Sequence, residues 1–117
     1  YAKCRKMFGK TLAAFQNTQF VLAEAQSKVD AGRLLVQKAA VALDDGEDAA
    51  MLCAEAKLIA AEFAKEAVDV CLQLYGGYGY SKEYHIEQAY RDIRIFTIFE
   101  GATEVQKHVI AKCMGLR

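Results

Sequence analysis

The chain has 117 residues and balances 15 basic against 15 acidic side chains, so it concentrates no charge for a phosphate backbone and nucleic acid is a poor match as partner. Proline is absent and alanine occurs 20 times, where average usage would supply about six prolines. This composition predicts an all-α domain around one core that buries about 65% of the unfolded surface, and it argues against all-β and doubly wound folds. No uncharged stretch approaches the roughly eighteen apolar residues of a membrane span.

In chain order, residues 1–7 read as the tail of a helix that starts upstream, because seven helical residues are unstable alone. Phe15, Leu22, Val29, Val36 and Leu43 recur every seven residues, with Thr18, Ala25, Gly32 and Ala39 small between them. This predicts a long helix over 14–44, packed closely on its neighbours. Leu58, Ala61, Ala64, Val68, Leu72 and Tyr75 step by three and four, predicting a second helix over 48–75 with Asp48 as N-cap. The turn Asp44-Asp45-Gly46-Glu47 is short, so the two helices, each about 40 to 45 Å long, must be antiparallel neighbours.

Gly76-Gly77-Tyr78-Gly79-Tyr80 ends the second helix. Ser81 is then expected to cap a shorter helix through Arg91, and 92–99, which alternates charged and β-branched residues, reads as extended or irregular. Thr103-Glu104-Val105-Gln106 matches a capping box and opens a last helix to Met114, with Gly115 behind it. The sum is an antiparallel, up-and-down four-helix bundle with two long central helices. Cys4, Cys53, Cys71 and Cys113 form no C-x-x-C pair and are expected as free, packed thiols in a reducing compartment. His85 and His108 have no ligand-like companions, so no metal site is expected.

Three places carry more polar or glycine content than a plain bundle needs. Arg5-Lys6-Met7-Phe8-Gly9-Lys10 is a basic cluster that meets a glycine, and taken alone it reads as a solvated charged turn. Gln73 to Tyr80 is either a glycine helix cap or a turn whose exposed amides take phosphate or adenine contacts. In Ile98-Phe99-Glu100-Gly101-Ala102-Thr103, a carboxylate between apolar flanks is either a general base favoured by desolvation or an exposed acid complementing the next helix dipole.

Taken in order, R-K-M-F-G-K at Arg5 to Lys10, Phe15-Gln16, Phe20 to Glu24, Gln73 to Tyr80, Tyr90-Arg91-Asp92-Ile93-Arg94 and Ile98 to Gln106 resemble the C-terminal helical domain of the acyl-CoA dehydrogenases. The resemblance spans essentially residues 1–117. It implies roughly the last third of a flavoenzyme subunit, whose N-terminal helical and central β domains would precede this segment.

The resemblance implies FAD as cofactor, with Arg5 at the pyrophosphate and Phe8 on the FAD of a neighbouring subunit. Gln16 would lie on the flavin side, and Gln73, Gly76 and Gly77 would hold the adenosine end. It makes Glu100 the catalytic base, sets Gly101 against the thioester, and assigns flavin-side contacts to Ala102, Thr103 and Glu104. Phe99 and Ala102 stand where the family usually has tyrosine and threonine, and Ala102 removes one hydroxyl that Thr103 would supply instead. The implied reaction is α,β-dehydrogenation of an acyl-CoA. Glu100 would take the α-proton as hydride passes to flavin, and its N–H would hold the enolate oxygen. An electron-transferring flavoprotein is the implied acceptor, and a homo-oligomer, dimer or tetramer, the implied assembly. The bacterial cytoplasm or the mitochondrial matrix is the implied compartment. The alternatives are an acyl-CoA oxidase or related flavoenzyme, and a non-catalytic helical assembly module; the isolated segment is expected to be inactive.

Overall fold

The computed structural model describes residues 1–116. Four helices dominate them: α1 (Gln16–Asp44), α2 (Ala50–Tyr75), α3 (His85–Ile95) and α4 (Thr103–Cys113). This is the all-α, four-helix architecture that the absence of proline and the alanine content call for. The α1–α2 connection closes as a Schellman motif, in which the Glu47 N–H donates to the Ala42 carbonyl (2.9 Å) and the Gly46 N–H to that of Leu43 (3.1 Å). The two long helices lie against each other along their length.

The side chains that make this contact are the small ones. Thr18, Gly32, Ala39 and Ala42 are buried on α1, and Ala54, Ala56 and Ala61 on α2. A Cβ added to Gly32 would sit 3.6 Å from the Ala60 Cα, in ordinary contact, so only a small residue suits the helix spacing at this point. The heptad row expected to face the neighbours instead points largely outward, with Val36 48% and Leu43 58% exposed. Backbone approach through small residues leaves no room for branched ones between the helices, so these turn to the flanks.

Only α2 is central: α1, α3 and α4 each pack on it, which corrects the expectation of two central helices. The molecule is a rod of 56 × 26 × 23 Å with a radius of gyration of 17.6 Å, against about 13 Å for a compact chain of this length. Its accessible surface is 8259 Å², about 2,000 Å² more than the roughly 6,300 Å² typical of a monomer of this mass. The expected closed core is therefore not reached by this segment alone.

Several local expectations are also corrected. Residues 1–7 are not a helix tail. Tyr1 to Arg5 turn back through Cys4 and Arg5 N–H bonds to the Tyr1 carbonyl. Strands β1 (Lys6–Met7) and β2 (Lys10–Thr11) then form a hairpin. Its two turn residues, Phe8 (φ 50°) and Gly9 (φ 79°), both have positive φ, the signature of a tight hairpin turn of the mirror-image type. Ser81 accepts a bond from the Glu83 N–H (3.3 Å) but caps no helix, since α3 begins at His85.

Helix α3 runs on to Ile95, into the first half of the stretch read as extended or irregular, because Ile86, Ala89 and Ile93 recur at helical spacing as its half-buried face, while 96–99 are irregular as read. The capping box at the start of α4 does not form. Ala102 precedes the helix without a side-chain cap, the Thr103 hydroxyl is drawn to Glu62 of α2 (3.2 Å), and Gln106 reaches back to the Gly101 carbonyl (3.0 Å). The Asp48 side chain accepts from the Ala50 N–H (3.1 Å), though α2 begins at Ala50 with Ala49 at its N-cap position, one residue later than expected for a helix capped at Asp48. Of the four free thiols, Cys53 and Cys71 are half-buried, and burial pushes the Cys71 thiol up from its ordinary value. Cys4 and Cys113 are exposed rather than packed.

Candidate functional site

The residues singled out from the sequence fall into two places on α2. At its C-terminal end the hairpin folds over the glycine turn Gly76–Tyr80, and between them lies a cleft of about 810 Å³. Arg5, Phe8, Gln73, Gly76 and Gly77 all line it. Gln16 is exposed at the start of α1 and lies outside this wall.

An aromatic cluster builds the floor. The Tyr1 and Tyr75 rings stack at 4.1 Å, the Tyr1 hydroxyl donates to the Tyr75 carbonyl (3.3 Å), and the Tyr84 ring meets Tyr1, Tyr75 and Tyr78 edge-on. The Arg5 guanidinium lies over the Tyr78 ring at 5.4 Å and forms no ion pair among the described residues. Nothing lies within 4 Å of a Cβ built on Gly76 or Gly77, so bare backbone faces the opening. An unpaired planar cation, exposed glycine backbone and aromatic walls suit a ligand with a phosphate group and a flat ring system.

The second place is the turn between α3 and α4, beside the middle of α2. Here Lys57 of α2 donates from one ammonium to the Phe96 carbonyl (2.7 Å) and to the Gly101 carbonyl (2.6 Å). Glu100 lies between those two carbonyls, and its φ of 51° is a conformation side chains adopt at a cost of about 1 kcal/mol or more. Phe8 and Glu100 are the only non-glycine residues with positive φ among those described. Gly101 has φ 90°, a conformation that strains any residue with a side chain, and a Cβ there would also displace the Gln106 side-chain amide, so glycine is favoured after Glu100.

The Glu100 side chain is exposed, as are Ile98 (52%) and Phe99 (38%), so its flanks do not desolvate it in this segment and, of the two readings of the sequence, the exposed acid is the one seen. The Glu100 N–H donates to no group among the described residues. Ala102, Thr103 and Glu104 line a neighbouring cleft of about 410 Å³ with Glu62, Lys65 and Arg94. The Glu62 carboxyl is held below the ordinary range, first by its bond from Lys65 (2.5 Å) and also by the Thr103 hydroxyl. Arg94 is anchored by the Thr97 hydroxyl. Glu62 and Gln73 stand about 16 Å apart along α2 at 1.5 Å per residue, so the residues chosen from the sequence, Gln16 apart, fall at two sites, not one.

Sequence reasoning missed Tyr78 and Tyr1 in the first site, and Lys57, Glu62 and Gln106 in the second. Tyr78 carried a signal, since it interrupts the glycines. Lys57 and Glu62 carried none, because Lys57 meets the Phe96 and Gly101 carbonyls 39 and 44 positions along the chain and Glu62 meets Thr103 41 positions along it.

Residues 1–115 match the family described as acyl-CoA dehydrogenase, C-terminal domain. The chain belongs to the acyl-CoA dehydrogenase family. Among its acyl-CoA dehydrogenase-family relatives, 3-(aryl)acrylate reductase of Clostridium sporogenes is 50% identical over 95% of this chain and 29% of that protein. The caffeyl-CoA reductase-Etf complex subunit CarC of Acetobacterium woodii is 45% identical over the same shares. The three-dimensional structure of butyryl-CoA dehydrogenase from Megasphaera elsdenii superposes with a TM-score of 0.96 at 38% identity, covering 97% of this chain and 30% of that one. The chain thus spans less than a third of the length of these relatives.

Proposed function

We propose that this segment is the part of an FAD-dependent acyl-CoA dehydrogenase that carries the general base and part of a cofactor site. The observation that carries the reading is the turn at Glu100: an exposed carboxylate held at positive φ, with its own N–H left free, on a loop tied to α2 from both ends. A rigid base beside an unspent backbone donor is what proton removal next to a thioester carbonyl requires.

On this reading Glu100 takes the α-proton of the acyl thioester, and its N–H donates to the carbonyl oxygen as negative charge develops there. Gly101, having no side chain, lets the thioester approach the backbone. When bound, FAD supplies the acceptor for the β-hydride. Arg5 would hold its pyrophosphate and Gln73, Gly76 and Gly77 its adenosine end, while Ala102, Thr103 and Glu104 would meet a flavin in the second cleft. The separation of the two places along α2 supports an arrangement in which Arg5 and Phe8 serve the cofactor of a second subunit and Glu100 acts elsewhere. The exposed apolar rim of Ile98 and Phe99 is where the acyl chain and the remaining domains would exclude water and make the carboxylate more basic.

Reduction of an α,β-unsaturated acyl group is the second reading. It is favoured by the two relatives at 50% and 45% identity, both named as reductases. The same groups serve, with Glu100 delivering the proton to the α-carbon. The name of the second of these relatives also supports an electron-transferring flavoprotein as redox partner.

The test is stopped-flow flavin reduction by saturated thioesters, and reoxidation by unsaturated ones, in the full-length protein and its Glu100→Gln variant. The variant is expected to keep FAD and lose about 10² to 10⁴ in rate. Flavin reduction at the parent rate would remove Glu100 from the role.

A further inference from the structure

We propose that Lys57 is a positioning residue for the base: its ammonium binds both ends of the loop 96–101 and thereby holds Glu100 in its strained conformation. The inference rests on the reading of Glu100 as general base.

The geometry is specific. Lys57 Nζ lies 2.7 Å from the Phe96 carbonyl and 2.6 Å from the Gly101 carbonyl, so one cation closes a six-residue loop. Phe96 is the C-cap of α3, where helix carbonyls lack partners and the dipole favours positive charge. Hydrogen bonds from an ammonium are about twice as strong as neutral ones. Lys57 rises from the N-terminal third of α2, the element against which α1, α3 and α4 all pack, so the loop is referred to the helix that the rest of the fold packs on.

The loop needs such an anchor. Its own backbone bonds run from Ile98 and Phe99 to the Ile95 carbonyl and from Thr103 to Thr97, and none involves Glu100. A residue at φ 51° relaxes unless its surroundings over-determine it. The bonds on the Gly101 carbonyl, from Lys57 and from Gln106 (3.0 Å), fix the peptide that follows Glu100, and the bond on Phe96 fixes the approach to it. A misplacement of about 1 Å at a reacting group can cost about 100-fold in rate, which is the scale on which Lys57 acts.

The experiment compares Lys57→Met, Lys57→Arg and Glu100→Gln in the full-length protein, by hydrogen exchange and by single-turnover flavin reduction. Lys57→Met is expected to speed amide exchange in 97–103 by about tenfold or more while α1 exchanges as before. Flavin reduction at saturating substrate should fall about 10- to 100-fold, with FAD content at the parent level and KM changed by less than about threefold. Lys57→Arg, which keeps a cationic donor, should recover most of both. Exchange in 97–103 at the parent rate overturns the proposal. So does faster exchange with an unaltered reduction rate, since Lys57 would then be a helix cap and nothing more. Should Lys57→Met fail to fold, Lys57→Gln, which retains a single donor group, is judged by the same criteria. Parent-like reduction by Glu100→Gln removes the base assignment instead, and the exchange arm still decides whether Lys57 holds the loop.

Discussion

Gly32 of α1 faces Ala60 of α2 so closely that a Cβ at position 32 would lie 3.6 Å from the Ala60 Cα and 3.8 Å from its Cβ. One methyl group fits at those distances and a branched side chain does not. Gly32→Ala should therefore be tolerated and gain up to about 1 kcal/mol of helix propensity. Gly32→Leu should push the helices apart at a cost of about 1 to 3 kcal/mol. Urea unfolding of both variants checks the pair, and an equal loss in both would mean that the helices approach more closely than this.

Arg5 stands over Tyr78 on the wall of the larger cleft without a carboxylate partner among the described residues. A charge-assisted bond to a pyrophosphate is worth about 1.5 to 3 kcal/mol, so Arg5→Ala in the full-length protein should weaken FAD retention by about 10- to 150-fold. An exposed arginine adds little to folding, so stability should change by less than about 0.5 kcal/mol. Gel filtration followed by the flavin-to-protein ratio reads the effect. An unchanged ratio after dilution returns Arg5 to the role of a solvated turn residue.

Lys28 joins the two long helices by bridging Glu24 (2.8 Å) and Glu66 (2.7 Å). Its ammonium is pushed up from 10.5 to about 12, first by the hydrogen bond to Glu24 and then by that to Glu66. A raised folded-state value means that the contribution to stability is complete below pH 10.5 and is lost as pH rises through about 12. The urea midpoints of the parent and of Lys28→Met should differ at neutral pH and converge over that alkaline window. Midpoints that stay parallel would show that the bridge contributes nothing.

Phe20, Leu34, Val36, Val41 and Leu43 are all exposed on α1, and the chain shows about 2,000 Å² more surface than a monomer of its mass should. That excess is more than twice the roughly 800 Å² that each partner contributes to a standard protein interface. The 117-residue chain should therefore self-associate, as a dimer or a tetramer, and bind FAD weakly and without acyl-CoA turnover, since it holds only part of each site. Sedimentation velocity and FAD titration measure both. Leu34→Glu should shift the distribution toward monomer, and a strict monomer for the parent would refute the first expectation.

Sequence periodicity by itself determined the two long helices, the polar turn between them and the last helix, because hydrophobic spacing, alanine content and helix-stop glycines act within a few residues of one another. The same local chemistry marked the basic turn at 5–10, the glycine turn and Glu100 as candidates, and the family resemblance gave Arg5 and Phe8 their expected roles. What it did not determine was which face of α1 is buried. A heptad of large residues and a row of small ones coexist on that helix, and only the presence of α2 at backbone contact selects the small row through Gly32 and Ala60. The fate of the Thr103 hydroxyl and the Gln106 amide was likewise open. Both could cap their own helix, but Glu62, brought close by the packing of α2, takes the hydroxyl, and the Gly101 carbonyl five residues back takes the amide. The anchoring of the Glu100 loop is tertiary for the same reason: a lysine on one helix meets two carbonyls 39 and 44 residues away, and no local pattern records a bond that only the folded chain can form.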